Sequence, residues 1–243
     1  AIEALGFEEP TPIQEAIIPA VFESTEDIIG IAQTGTGKTA AYGLPLVQQV
    51  DTSQKQTQAL ILAPTRELCI QITKDLTDYS KYTGGLTVVP VYGGANIGVQ
   101  LKALKKGAHI IAATPGRMLD IIRRKATNLG TLRTVVLDEA DEMLNMGFRD
   151  ELDGILEQTP DTKRTLLFSA TMPKEVARIA DNYMAQPKKI TVGKQNAGAD
   201  NVAHHYYQVN PRDRYEALKR VADKHPDIYG IVFCRTRMDT KEV

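Results

Sequence analysis

Residues 32–39 read Ala32-Gln33-Thr34-Gly35-Thr36-Gly37-Lys38-Thr39. The stretch follows an apolar run, 27–32, and leads straight into a segment of helical pattern. That context makes it a P-loop. Gly35 and Gly37 let the backbone wrap closely around phosphates, and the N–H groups at the start of the following helix point at the anion. Lys38 brings a charge to the β- and γ-phosphates, and the Thr39 hydroxyl is suited to Mg²⁺. The first position of the general pattern is Ala32 rather than Gly, a mild departure because alanine is small and the later glycines serve the turn. The alternative is a glycine-rich loop with a solvated lysine, and the strand-loop-helix setting weighs against it.

A P-loop enzyme needs a carboxylate at the tip of another buried strand. About a hundred residues on, Thr134-Val135-Val136-Leu137 ends in Asp138-Glu139-Ala140-Asp141. Asp138 is the expected Mg²⁺ partner. Glu139, just past the strand tip, is positioned to orient or deprotonate the water that attacks the γ-phosphate. An acidic turn after a strand is by itself only a solvated cap, and the pairing with the P-loop is what favours chemistry.

Further short apolar runs alternate with amphipathic segments, the pattern of βαβ units and a parallel sheet covered on both faces. Strands are predicted at 27–32, 59–63, 87–91, 109–113, 134–138, 165–169 and 190–192. Helices are predicted at 65–81, 98–105, 116–124, 149–158 and 173–184. The fold class is therefore α/β, with a first domain over 1–193. Residues 194–200, Lys194-Gln195-Asn196-Ala197-Gly198-Ala199-Asp200, are small and polar without hydrophobic period and read as a linker. A strand-like run over 202–209, a helix over 211–224 and a strand over 229–234 follow. Such a piece is too small to be stable alone, so 201–243 is expected to be the start of a second α/β domain cut short.

Composition narrows the function classes. The chain has 243 residues, 42% hydrophobic and 24% charged, the profile of an ordinary globular protein. No stretch approaches the roughly 20 apolar residues that span a bilayer. Cys69 and Cys234 are far apart in apolar segments, which suits reduced thiols rather than a disulfide framework or zinc site. Twenty-nine basic against thirty acidic residues give a net charge of −1, so any nucleic-acid binding must be local. No secretory signal opens the sequence, which lacks an initiator Met, and it is the two reduced thiols from which an intracellular, cytoplasmic setting is expected.

These residues resemble the DEAD-box ATP-dependent RNA helicases, named for the tetrapeptide that stands here as Asp138 to Asp141. The resemblance implies a RecA-like domain at 1–193 and the first part of another after the linker. Gly6-Phe7 with Pro10-Thr11-Pro12-Ile13-Gln14 resembles the family's Q motif, in which the glutamine reads adenine. A Gln amide offers the donor and acceptor that match adenine N6 and N7, so Gln14 is expected to select ATP. Pro64-Thr65-Arg66, the pair Gly93-Gly94 and Thr114-Pro115-Gly116-Arg117 resemble motifs that grip the RNA backbone. Thr hydroxyls, helix N-termini and Gly-flanked amides suit phosphate, and Arg66 and Arg117 add charge. Ser169-Ala170-Thr171 resembles the coupling motif, whose hydroxyls bond to the acidic tetrad at Asp141. Ile231-Val232-Phe233-Cys234-Arg235-Thr236 resembles the first motif of the second domain, with Arg235 and Thr236 facing RNA.

The implied activity is ATP-driven RNA binding and local duplex unwinding, with ATP and Mg²⁺ as cofactors and RNA-processing proteins as possible partners. The later family motifs, with arginines reaching the γ-phosphate, have no counterpart here. An arginine finger is worth about 10³–10⁵ in rate, so turnover by this chain is expected near background. Rival readings are an ATP-driven DNA translocase and a nucleotide-gated RNA clamp that does not unwind. His204 and His205 are expected to pack in a sheet rather than share a metal. The basic runs at Lys102, Lys105 and Lys106 and at Arg123, Arg124 and Lys125 read as solvated helix ends, and Met143 and Met146 as apolar contacts.

Overall fold

Alternation along the strands decides how the sheet is covered. Ile29, Ile31, Leu60, Leu62, Ile111, Val135, Leu137 and Leu167 belong to one buried cluster. Their neighbours Ile28, Ile61, Ile110, Val136, Leu166 and Phe168 belong to another. Successive strand residues face opposite sides, so strands apolar at every position require a helix layer on each face. The computed structural model, which describes residues 1–193, 203 and 205–243, has that architecture.

In chain order the first unit comprises α1 (Pro12–Glu23), β1 (Ile28–Ile31), α2 (Lys38–Gln49), β2 (Ala59–Leu62), α3 (Arg66–Tyr79), β3 (Val88–Val91) and α4 (Ile97–Lys105). It continues with β4 (Ile110–Ala113), α5 (Pro115–Arg123), β5 (Thr134–Leu137), α6 (Ala140–Asn145), α7 (Arg149–Leu156), β6 (Arg164–Ser169), α8 (Lys174–Tyr183) and β7 (Lys188–Thr191). The seven strands lie in the order β3-β4-β2-β5-β6-β1-β7, and every pair is parallel. Apolar residues of α1, α2 and α3 cover one face, and those of α4, α5, α6, α7 and α8 cover the other. Gly30 is needed in β1 because a Cβ there would sit 2.7 Å from Phe168 Cε1. At the opposite rim Arg164 ties β6 to the end of α1, donating to Val21 O at 2.7 Å, Ala20 O at 3.2 Å and Glu26 O at 2.7 Å.

β7 begins two residues before its expected start, at Lys188. It is an edge strand whose side chains are mostly exposed, and it is held by backbone pairing to β1, so hydrophobic pattern could not mark it. Asp27 binds it in place, with Asp27 O accepting from Lys188 N at 2.8 Å.

The chain divides into units Ala1–Ala197 and Gly198–Val243. The expected linker, 194–200, lies outside the described residues, as do 201, 202 and His204. In the second unit a 3-10 turn at Pro211–Asp213 leads into α9 (Arg214–Lys224), and α10 (Arg237–Glu242) follows. The strands expected over 202–209 and 229–234 are not formed among the described residues; His205 and Tyr206 are coil, and Ile231 and Phe233 are 82% and 90% exposed. A strand needs a hydrogen-bonded neighbour, and propensity alone does not make one. Cys69 is buried, Cys234 is half-buried, and neither is in a disulfide. Among the described residues no helix is long and apolar enough to cross a membrane.

Candidate active site

The loop between β1 and α2 is held open from within. Gly35 and Gly37 have φ of 77° and 90°, values costly for any residue with a Cβ. Gly37 is the N-cap of α2, and a Cβ on it would collide with Gln14 Nε2. The Thr36 hydroxyl donates to Gln33 O at 2.8 Å, closing the turn. Lys38 is buried, and its Nζ donates to Ala32 O at 3.0 Å. The free backbone donors of the first turn of α2, beside this ammonium, form an anion cradle.

Gln14 is the N3 residue of α1. Its Oε1 accepts from Thr11 N at 3.1 Å, and its Nε2 donates to Gly37 O at 3.2 Å. It therefore clamps α1 to the phosphate loop, and this leaves one amide hydrogen and one lone pair for other partners. Phe7, which packs edge-on against Tyr79 at 6.2 Å, lines the same side of the cleft.

Asp138 follows β5 directly and is 2% exposed. Its N–H donates to Leu62 O at 2.9 Å. Its Oδ2 accepts from the Tyr42 hydroxyl at 2.8 Å, while its Oδ1 has no hydrogen-bond partner among the described residues. Burial pushes the Asp138 carboxyl above the usual range, against the opposing pull of the Lys38 charge and the Tyr42 hydrogen bond. Burial and the neighbouring Asp138 likewise raise Glu139. Glu139 is the N-cap of α6 and has φ 52° and ψ 51°, a left-handed conformation unusual for a residue with a side chain. Lys38, Thr39, Asp138 and Glu139 all line one cleft of about 340 Å³, together with Gln14, Thr34, Gly35 and Gly37.

Asp141 is bound to the end of β6. Its Oδ2 accepts from Thr171 N at 2.9 Å and Thr171 Oγ1 at 2.7 Å, and its N–H donates to Ser169 Oγ at 3.3 Å. Burial works against its charge but is outweighed by these bonds, so its carboxyl sits below the usual range.

Because β3, β4 and β2 are adjacent, the loops at their carboxyl ends meet. Pro64 is buried, and Thr65 caps α3 by accepting from Leu68 N at 3.2 Å. The exposed Arg66 lies over the Tyr92 ring at 5.1 Å. Gly93 and Gly94 are exposed, Gly94 with φ 77°. Thr114 and Pro115 begin α5, with Thr114 N donating to Val91 O at 2.9 Å, and Gly116 is exposed. Arg117 turns onto the neighbouring loop, donating to Ala95 O at 3.1 Å and Gln100 Oε1 at 3.2 Å, while Gln100 Nε2 donates to Tyr92 O at 3.0 Å. Arg235 and Thr236 belong to the second unit, where Thr236 caps α10 by accepting from Asp239 N at 3.1 Å. Met143 is fully buried, whereas Met146 is 48% exposed.

Sequence reasoning missed Tyr42, Tyr92 and Gln100. Tyr42 carried a faint signal, being four residues after Lys38 on the same helix face. Tyr92 and Gln100 carried none, because only the folded loops bring them to the arginines.

A sequence model of the DEAD/DEAH box helicases matches residues 11–179. The chain belongs to this family. Among curated DEAD/DEAH box helicases it is similar to the DEAD-box ATP-dependent RNA helicase CshA of Bacillus cereus, 46% identical over 243 residues, and of Bacillus subtilis, 45% identical. Each alignment covers 100% of this chain, and 46% and 49% of those two proteins. The chain spans about half the length of the curated relatives it matches. Among solved structures it is similar to a DEAD box protein from the hyperthermophile Methanococcus jannaschii, with TM-score 0.75 and 43% identity over 99% of this chain and 64% of that one. It is also similar to a hypothetical ATP-dependent RNA helicase from Sulfolobus tokodaii, with TM-score 0.73 and 34% identity over 79% of this chain and 55% of that one. The parallel sheet flanked by helices is thus that of the DEAD/DEAH box helicase fold.

Proposed function

We propose that this chain carries the ATP-binding part of a cytoplasmic ATP-dependent RNA helicase, with domain 1–193, linker 194–200 and the beginning of a second RecA-like domain at 201–243. The observation that carries the reading is that Lys38 and Asp138, a hundred residues apart in sequence, line one cleft, and that the buried Asp138 Oδ1 has no hydrogen-bond partner among the described residues. A buried carboxylate oxygen without a donor is costly in a site with no ligand. It fits a site whose substrate brings a cation.

In this reading Thr34 to Thr39 cradle the triphosphate and Lys38 neutralises its charge. Gln14 contacts adenine with the hydrogen and lone pair it has to spare. Thr39 and Asp138 would hold Mg²⁺, which when bound offsets phosphate charge. Among the described residues no three His, Cys, Asp or Glu are grouped to hold a metal, which suits an ion shared with substrate phosphates. Glu139 orients the attacking water and takes its proton. Pro64, Thr65, Arg66, Gly93, Gly94, Thr114, Pro115, Gly116 and Arg117 hold the RNA backbone without reading bases, with Arg235 and Thr236 doing the same from the second domain. Asp141, Ser169 and Thr171 join the nucleotide and RNA sides, since Asp141 follows the catalytic strand tip and is tied to β6.

The test is ATP turnover by the whole protein with and without single-stranded RNA, beside Glu139→Gln. RNA-stimulated turnover in the wild type and a loss of about a hundredfold or more in the variant are expected for removal of a general base. Undiminished turnover in Glu139→Gln would refute the assigned base.

A further inference from the structure

Tyr42 is fully buried, and its hydroxyl donates to one carboxylate oxygen, Asp138 Oδ2, at 2.8 Å. We infer that Tyr42 is a positioning residue for the metal-holding carboxylate: by occupying Oδ2 it determines that Oδ1 is the oxygen offered to the cleft. The inference rests on the reading of the cleft as a magnesium-nucleotide site.

The ring has little freedom to do otherwise. It packs against Phe168 with centroids 5.2 Å apart and planes at 46°, and Phe168 in turn occupies the space above Gly30 in β1. The backbone glycine, the two rings and the carboxylate form a continuous stack on one face of the sheet. Tyr42 also lies on α2 one turn after Lys38, so the helix that presents the lysine to the cleft also fixes the carboxylate.

A purely structural tyrosine would be served by any acceptor, and a purely structural aspartate would have both oxygens bonded. Here Tyr42 bonds Oδ2, while Oδ1 has no hydrogen-bond partner among the described residues. That asymmetry is what an outer-sphere partner creates when it orients a ligand.

The test is the Mg²⁺ enhancement of nucleotide affinity. A fluorescent ADP derivative is titrated against this chain in EDTA and in saturating Mg²⁺, for the wild type, Tyr42→Phe, Asp138→Asn and the double variant. Phenylalanine keeps the ring and its packing on Phe168, and thermal unfolding of each sample checks the fold. Tyr42→Phe is expected to reduce the Mg²⁺ enhancement about tenfold, the usual size of an outer-partner loss, while affinity in EDTA stays within about twofold. In the Asp138→Asn background Tyr42→Phe is expected to change nothing further, since the two act as one unit. An enhancement preserved in Tyr42→Phe, an equal loss with and without Mg²⁺, or losses that add in the double variant would each overturn the inference. A wild-type chain that binds the nucleotide without Mg²⁺ dependence would refute the cleft assignment itself, and the inference with it.

Discussion

A carboxylate at the tip of a buried strand is stable only where something answers its charge, and at Asp138 the answer is partial. Lys38 and Tyr42 favour the ionised form, yet burial outweighs them and the carboxyl sits above its usual range. In the unfolded chain it titrates near 4. Below that both states are protonated and the folded state carries no penalty. As pH rises past the unfolded value and through the folded one, the native chain must ionise a buried group, and stability falls. Asparagine cannot ionise. Asp138→Asn is therefore expected to match the wild type in unfolding temperature at about pH 3 and below, where both states are protonated, and to exceed it at neutral pH, by about 2–4 °C for each 1 kcal/mol in a domain of this size. Calorimetry or dichroism melts across pH check this, and a variant less stable than the wild type at pH 7 would contradict it. Charge retained at a cost in stability is typical of a site selected for chemistry.

Elements meet at junctions, and two of these shape the cleft. One is the contact of α1 with the P-loop, where Gln14 closes its own helix through Thr11 and then reaches Gly37 O, so the helix start and the phosphate loop share one amide. The other is the junction of β5 and α6. The chain passes from strand to helix at Glu139, with no glycine to absorb the turn, and the residue is held at φ 52°. A left-handed residue with a Cβ costs roughly 1–2 kcal/mol, against roughly 0.5–1 kcal/mol for the extra chain entropy of glycine. Glu139→Gly is thus expected to be as stable as the wild type or up to about 1 kcal/mol more stable, while losing catalytic turnover. Urea unfolding measures the first and an ATPase assay the second; marked destabilisation would show that the conformation carries no strain. The sequence marks such junctions only by type. The P-loop announces its glycines, but nothing in Asp138-Glu139-Ala140-Asp141 announces a positive φ.

Across the whole molecule, the strand order β3-β4-β2-β5-β6-β1-β7 sorts the assigned roles. The loops assigned to RNA follow β3, β4 and β2, the carboxylates follow β5, the coupling hydroxyls follow β6 and the phosphate loop follows β1. β4 and β1 are four places apart, about 19 Å at roughly 4.8 Å per strand. Arg117→Ala, which frees the β3 loop from α5, is therefore expected to weaken single-stranded RNA binding about tenfold, some 1.4 kcal/mol, irrespective of base sequence. Nucleotide affinity should stay within about twofold. Fluorescence anisotropy with labelled RNA and nucleotide checks both, and a parallel loss of nucleotide binding would break the proposed separation. Local pattern was enough for the α/β class, the P-loop, the acid-tipped strand and most element positions in 1–193, because apolar period, glycine and charge act over a few residues. The edge strand β7 was expected but starts two residues earlier, at Lys188, and among the described residues of 202–209 and 229–234 no strand forms, since strand formation depends on a neighbour that hydropathy does not name. The sequence alone established which chemical groups the chain carries and in what order. Folding alone decided which meet: that Tyr42 takes one oxygen of Asp138 and, among the described residues, nothing takes the other, that Gln14 reaches Gly37, and that Arg117 ties α5 to the loop after β3 and to α4. Those contacts join residues up to 96 positions apart, and only the packed sheet and its helix layers bring such distant groups within hydrogen-bond reach.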